Sequence, residues 1–284
     1  MANILVTGGL GYVGSRLLNQ LKKKQNVITL LVRKQDKDHW NDNEFKLITI
    51  EELEKNHEQL SIDTVVNLAG KYSFDHRVIG VNELLVSNVV LPTRLAAVVS
   101  NSGEHVHWVQ ASTFMQQHEG NHRSPTCFYA STKQSAEDLL HYFESDTFRV
   151  TSLILPHIYG ERDPRDKLIN LLLRSVKSGS KVQLSSGTQV MDLVHIDDII
   201  NAFELVILDK GPSGRWQISS GKPFRVAEIV EFINHHSGNS LNVKFDKTLD
   251  RSNDCYDLWQ NAPNLPNWNA HKELFNWLRT QLTS

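Results

Sequence analysis

Tyr129 and Lys133 stand four residues apart in Tyr129-Ala130-Ser131-Thr132-Lys133, a spacing that puts both on one face of a helix. An ammonium beside a phenol stabilises the phenolate and pulls the phenol pKa from about 10 toward neutrality. Tyr129 would then be a usable proton donor or acceptor near pH 7. Ser112, with Thr113 beside it, offers a hydroxyl that could hydrogen-bond a carbonyl and orient it toward Tyr129. Upstream, Thr7-Gly8-Gly9-Leu10-Gly11-Tyr12-Val13-Gly14 places glycines in the pattern G-x-x-G-x-x-G. Gly8 permits a tight turn, Gly11 lets the backbone approach a pyrophosphate, and Gly14 allows a helix to pack closely on a strand. The start of the following helix, at Tyr12 and Val13, would present free amides and a positive dipole to phosphates. Each motif alone recurs by coincidence; the two together point to dinucleotide-dependent chemistry.

The elements that must carry these residues follow from hydrophobic spacing. Ile4-Leu5-Val6 is a short apolar run that ends in the glycine turn, and Val13, Leu17, Leu18 and Leu21 then recur at helical spacing. Val27 to Val32 is a second continuous apolar run. Strands apolar on both faces belong in a parallel sheet covered by helices. The pattern predicts further strands at 64–68, 106–109 and 150–155. It predicts helices at 84–99, kinked or ended near Pro92, and at 129–143. Ser112 and Thr113 therefore fall just after a strand. The acidic run Glu51-Glu52-Leu53-Glu54 reads as a solvated helix face. After Pro156 the spacing predicts a helix at 168–176, a polar Gly/Ser-rich stretch at 178–187, and a strand running into a helix over 190–200. The remainder, with Trp216, Trp259, Trp268 and Trp277, reads as a smaller lobe with irregular loops. The fold class is α/β: a doubly wound parallel sheet with a smaller C-terminal α/β substrate lobe. The expected division is 1–160 plus about 190–212 for the dinucleotide domain, and about 161–189 plus 213–284 for the lobe.

Composition narrows the function. The 284 residues carry 30 Lys+Arg against 32 Asp+Glu, a net charge of −2 that argues against a surface built for nucleic acid. Apolar residues make up 40%, so a packed core is expected rather than disorder. The longest apolar runs are strand-length and no basic leader precedes the first, so neither membrane insertion nor secretion is expected and the cytoplasm is the expected location. Cys127 and Cys255 form no disulfide or metal framework by spacing. Among 13 histidines, His105/His107 and His118/His122 are spaced to share a face, but no carboxylate stands at ligand spacing, so no metal is expected.

These motifs, in this order, resemble the extended, nucleotide-sugar-modifying branch of the short-chain dehydrogenase/reductases, which have a Rossmann fold. The resemblance extends through Asp63 to Gly70, Asn88 in Asn88-Val89-Val90-Leu91-Pro92-Thr93, Pro125 to Lys133, and His157-Ile158-Tyr159-Gly160. It continues in Met191 to Asp198 and in Arg251-Ser252-Asn253-Asp254, leaving only the last ~30 residues unmatched. From Ser112 to Asp198 the chain is most similar to CDP-abequose synthase-like 4-ketosugar reductases. The resemblance implies an NAD(P)-dependent oxidoreductase of polysaccharide biosynthesis. Ser112, Tyr129 and Lys133 would be catalytic, and Gly8, Gly11, Tyr12, Val13, Gly14, Arg33, Lys34, Leu68, Ala69, Gly70 and Asn88 would line the cofactor with Tyr129 and Lys133. Thr113, His157, Lys167 and Arg251 would meet the nucleotide sugar. A homodimer through paired helices is also implied.

Departures from the family pattern refine this. Met191 stands where many members carry a phosphate-clamping arginine, so the diphosphate must lean on Lys167 or Arg251. Gln116-Gln117 alters the pocket wall. No Asp-Glu pair follows the hydroxyl, which disfavours a dehydratase. The second strand ends at Arg33-Lys34 rather than at an acid that would accept from ribose hydroxyls, so NADP is expected over NAD, with Arg16 as a second contact to its 2′-phosphate. The expected activity is NADPH-dependent reduction of the keto group of a nucleotide-activated deoxysugar. The alternatives are an NAD-retaining nucleotide-sugar 4-epimerase and a non-catalytic NADP-binding sensor or scaffold.

Overall fold

Strand β1 (Asn3–Thr7) buries Ile4 and Val6 in one apolar cluster and Leu5 in another, as a period-2 element covered on both faces must. The same logic builds the whole sheet. The structure is a computed structural model that describes residues 2–38, 44–56, 61–73, 77–102, 104–121, 123–208, 211–252, 254–257 and 262–283; His122, Asn253 and Trp259 lie outside the described residues. After β1 come α1 (Tyr12–Lys22), β2 (Val27–Leu31), α2 (Lys34–Asp38), β3 (Lys46–Ile48), α3 (Ile50–Asn56) and β4 (Thr64–Asn67). Then follow α4 (Val78–Leu85), α5 (Leu91–Ser100), β5 (Val106–Thr113), α6 (Phe128–Phe143) and β6 (Phe148–Leu155). These strands form a parallel sheet in the order β11-β6-β5-β4-β1-β2-β3, where β11 is Gly214–Gln217. Leu17, Leu18 and Leu21 of α1 cover one face together with Ile199, Phe203 and Val206 of α8 (Ile196–Leu208). Leu53 of α3, Leu95 and Val99 of α5, and Leu140 of α6 cover the other. The sheet is doubly wound, as the sequence predicts.

The remaining elements are β7 (His157–Tyr159), α7 (Leu168–Ser178), β8 (Val182–Leu184), β9 (Val190–Met191), β10 (Leu193–His195), β12 (Phe224–Arg225), α9 (Val226–His236), β13 (Val243–Phe245) and α10 (Leu274–Leu282). Their strands pair in three two-stranded sheets, and α7, α9 and α10 share a separate apolar cluster around Tyr159, Leu172, Ile229 and Trp277.

Three details differ from the sequence expectations. First, β5 does not end at Val109; it pairs with β6 as far as Thr113↔Leu155, so Ser112 and Thr113 are its last two residues. The apolar signal stops early because the strand's end is polar yet buried. Gln110 accepts from Asn67 Nδ2 (2.9 Å) and Trp108 Nε1 (3.0 Å), and Thr7 Oγ1 donates to Asn67 Oδ1 (2.6 Å), a polar ladder across three strands. Second, the helix begins earlier and absorbs Pro92. A π turn at Val86–Val90 joins α4 to α5. Proline lacks an amide hydrogen and crowds the carbonyl four residues back, here that of Asn88; widening the turn relieves this, and Asn88 is 1% exposed. By length and composition Val78–Ser100 could cross a membrane, but Leu84, Asn88, Leu95, Ala96 and Val99 on its inner side are buried in the fold. Third, Gly214–Gln217, which the sequence division puts in the lobe, is the seventh strand of the main sheet, and Leu265 and Trp268 also pack into the sheet cluster.

Candidate active site

The sheet's strand order reverses between β1 and β4, and the loops leaving these strands touch. Gly8 has φ +69°, and a Cβ on it would lie 2.6 Å from both the Ala69 amide nitrogen and the Leu68 carbonyl carbon. A Cβ on Gly14 would lie 2.2 Å from the Gly8 carbonyl oxygen, so strand and helix approach at backbone distance there. Gly11 differs: its Cβ would meet only the Gly8 oxygen, at 3.2 Å, and it caps α1 with no side-chain bond to the first-turn amides. A ready anion site thus opens at the switch point, where parallel sheets hold dinucleotides. The open backbone at Gly11, which a side chain there would obstruct, fits a dinucleotide pyrophosphate.

At the rim, Asn88 joins two walls. Its Oδ1 accepts from the Lys71 amide (2.7 Å), and its Nδ2 donates to the Lys71 carbonyl and to Thr132 Oγ1 (both 2.9 Å). A Cβ on Gly70 would stand 3.2 Å from Asn88 Oδ1 and 3.9 Å from Lys133 Nζ, which brings Gly70, Asn88 and Lys133 together. Tyr129 lies one turn earlier on α6, its ring against Tyr72 with centroids 4.9 Å apart at 74°. Burial pushes the Tyr129 phenol pKa well above its ordinary value, with Tyr72 and Cys127 adding to the shift and Arg165 opposing it. Burial pulls Lys133 down to about 8, against the charge of Glu137, which favours the ammonium. This corrects the sequence expectation that Lys133 draws Tyr129 toward neutrality. Desolvation penalises both charged forms here and is the first cause of each shift.

Ser112 is engaged by α6. Its hydroxyl donates to Glu137 Oε1, in a buried cluster where Gln116 Nε2 donates to Glu137 Oε2 (2.8 Å) and Arg215 Nε stands 3.3 Å from the same oxygen. Gln116, expected in the pocket wall, is fully buried in this cluster and also receives the Thr113 amide (2.9 Å). Thr113, at the strand end, accepts from the Met115 amide through Oγ1, which leaves its own hydroxyl proton to be donated.

On the lobe side, Phe114 packs on His157 (4.7 Å between centroids). They line an apolar pocket with Ile154, Pro156, Val190 and Ile218, and with Asp192, Gln217, Cys255 and Asp257. Burial, then the charge of Lys167, pulls His157 down to about 4, so its imidazole is neutral at pH 7. Lys167 Nζ sits 3.8 Å above the Tyr72 ring, and the charge of Arg251 also reaches Tyr72. Arg33 pairs with Asp36 through Nε (2.7 Å) and Nη2 (3.1 Å), while Lys34 starts α2. Arg16 departs from its expected place: it donates to the Glu161 carbonyl and stacks 4.2 Å over Tyr12, because Tyr12 is pinned by its own bond to that carbonyl. Sequence reasoning missed Tyr72, Glu137 and Arg165. Glu137 continues the i, i+4 spacing of Tyr129 and Lys133, a signal that could have found it. Arg165 also sits over the Tyr12 ring, at 4.7 Å from its centroid. Among the described residues no group of three His, Cys, Asp or Glu side chains is placed to hold a metal.

A glycine cradle at the switch point of a parallel sheet, with half-buried Tyr129 and buried Lys133 at its rim, defines a dinucleotide-dependent oxidoreductase. The chain belongs to the NAD dependent epimerase/dehydratase family, whose model matches residues 4–219. It is 29% identical over 246 residues to the CDP-abequose synthase of Yersinia pseudotuberculosis, covering 84% of this chain and 86% of that protein. To the CDP-abequose synthase of Salmonella muenchen it is 23% identical over 263 residues, covering 91% and 89%. MoeE5, solved in complex with UDP-glucose and NAD, superposes with a TM-score of 0.78 at 23% identity, over 99% of this chain and 98% of MoeE5.

The glycines separate two effects. Gly11→Val should leave thermal stability within a few degrees yet abolish binding of NADPH and NADH in fluorescence titration, whereas Gly14→Val should fail to fold. Full-strength cofactor binding by Gly11→Val would refute this geometry.

Proposed function

We propose that the protein reduces the keto group of a nucleotide-activated deoxysugar with NADPH. The observation that carries this reading is the placement of Tyr129 and Lys133 one turn apart on α6 at the rim of the glycine cradle, with Lys133 beside Gly70 and Asn88, where a phenol can give its proton to a carbonyl oxygen. A bound reduced nicotinamide supplies hydride to the carbonyl carbon. Tyr129 gives its phenolic proton to the carbonyl oxygen as charge develops there. Lys133 bears on the cofactor ribose and, as an ammonium, stabilises the phenolate left behind. With Ser112 committed to Glu137, Thr113 is the hydroxyl that hydrogen-bonds the carbonyl. Lys167 and Arg251 hold the diphosphate as cations, and neutral His157 contributes a hydrogen bond rather than a charge. Phe114 against His157 stands where an acid pair would be needed to expel a hydroxyl, which supports a reductase over a dehydratase. The similarity to synthases of CDP-abequose supports a nucleotide-sugar substrate. The second reading, an NAD-retaining 4-epimerase, is favoured by the NAD of MoeE5; a reductase consumes cofactor stoichiometrically and an epimerase does not. We place the enzyme in the cytoplasm, with about 161–189 and the residues after β11, other than Leu265 and Trp268 on the sheet cluster, as its substrate lobe.

Tyr129→Phe should lower kcat at least a hundredfold while cofactor still binds; unchanged turnover would end the catalytic assignment. Lys133 is charged below about pH 8 and neutral above it, so kcat/KM for NADPH should fall as pH rises through about 8. That alkaline limb should vanish in the residual activity of Lys133→Met.

The NADP preference rests on Arg33, whose guanidinium Asp36 partly occupies. Asp36→Asn should raise the NADPH/NADH affinity ratio about two- to fivefold, the range of an exposed charge pair. Arg33→Asp should erase the preference, and equal affinities in the unmodified protein would favour the epimerase.

A homodimer is supported by an apolar stripe on α4 and the π turn: Val78 and Ile79 are 77% and 73% exposed, with Leu85, Val86 and Val90 beside them. Leu139 and Tyr142 extend it on the adjacent α6. Light scattering should show a dimer that Val86→Asp converts to monomer; a monomeric unmodified protein would reject it.

A further inference from the structure

Tyr72 takes no part in the steps above, yet it lies between the reacting phenol and the cations of the lobe. The loop that carries it leaves β4 at the switch point and is fastened by both bonds between Asn88 and the Lys71 backbone. From there one side of its ring system meets Tyr129, at 4.9 Å and 74°. Lys167, the residue that opens α7, crosses from the lobe and sets its ammonium 3.8 Å above the ring centroid, within the range of a cation–π contact. Arg251 reaches the same side chain electrostatically. One ring thus spans the mouth of the site, from the dinucleotide domain to the segment expected to hold the diphosphate.

We infer that Tyr72 is a positioning residue, whose ring holds Lys167 extended across the site mouth for the diphosphate of the incoming nucleotide while also packing against Tyr129. The inference rests on the nucleotide-sugar reading given above. A lysine is a flexible four-carbon stem carrying a point charge, and an unrestrained one must lose its rotamer freedom when an anion binds. A ring face that already fixes the ammonium removes part of that cost before the ligand arrives, which is preorganisation. Half-exposed Tyr72 remains accessible to such a ligand. The phenolic hydroxyl is not needed for this role; the aromatic face is.

The test is calorimetric titration of NADP-saturated protein with CDP and with UDP. The unmodified protein should bind at least one of them. Tyr72→Leu should weaken that binding about three- to fivefold, in line with one exposed cation–π contact, while Tyr72→Phe stays within twofold. In a Lys167→Ala background, Tyr72→Leu should cause no further loss, a coupling that a merely structural role would not produce. Circular dichroism checks folding, and Tyr72→Gln carries the same comparison should the leucine variant not fold. Unaltered affinity in Tyr72→Leu, or additive losses in the double variant, would overturn the inference while leaving the nucleotide-sugar reading intact. Failure of the unmodified protein to bind either nucleotide would overturn the reading itself, and the inference with it.

Discussion

Backbone contact between the loops after β1 and β4 is the constraint from which the site follows. Gly8 at positive φ lies against the Leu68–Ala69 backbone, and Gly14 presses on the Gly8 carbonyl. Because neither position has room for a side chain, the first turn of α1 is drawn to the crevice where the strand order reverses. Thr7 ties the two strand ends together from below, donating to Asn67 and receiving the Ala69 amide at 3.0 Å. Asn67 passes the register on to Gln110 in β5. The neighbours of the glycine turn, the Gly70 rim and the hydroxyls at the end of β5 are therefore held by one buried polar ladder. Each member is satisfied only when all three strands are in register, since an unpaired buried polar group costs about 1–3 kcal/mol.

Desolvation then sets the chemistry of what this frame encloses. Tyr129, Lys133 and His157 all shift toward their neutral forms, and burial is the first cause in each case. A phenol that stays protonated and an imidazole that stays uncharged suit a site whose charge arrives with its ligands. Lys167, over the Tyr72 ring, shifts the same way, by burial first and then by the charge of Arg165, while Arg165 itself pairs with Asp163. Glu137 is deeply buried as well, and Ser112, Gln116 and Arg215 surround its carboxyl group, as a buried polar group requires.

Local patterns made much of this legible. The glycine spacing located the cradle, strand periodicity gave the doubly wound sheet, and the i, i+4 pair on α6 marked Tyr129 and Lys133. What stayed hidden depends on through-space neighbours. The end of β5 reads as loop because Gln110, Ala111, Ser112 and Thr113 are mostly polar, and only their partners on β4 and α6 explain their burial. The i, i+4 spacing of Tyr129 and Lys133 carries no information about solvent, and burial sets the direction of both shifts. Arg16 and Tyr72 sit in stretches whose signals point elsewhere. Their partners, Glu161 and Lys167, are more than 90 residues away in the chain.

The end of β5 shows how strand alternation divides labour between adjacent hydroxyls. Successive side chains of a strand point to opposite faces, so Ser112 and Thr113 cannot both serve one site. Ser112 meets Glu137 on α6, the helix that also carries Lys133 and Tyr129 one and two turns earlier. Its bond clamps the strand end against that helix. Thr113 caps the short turn at Phe114–Gln116, where the chain leaves the sheet for the pocket, and its amide is held in turn by Gln116. Gln116 reaches Glu137 as well, so the carboxylate secures both the clamp and the cap. The buried Glu137 thereby determines where the exposed chemistry is placed: it fixes the spacing between the end of β5 and Tyr129 without touching a reacting atom.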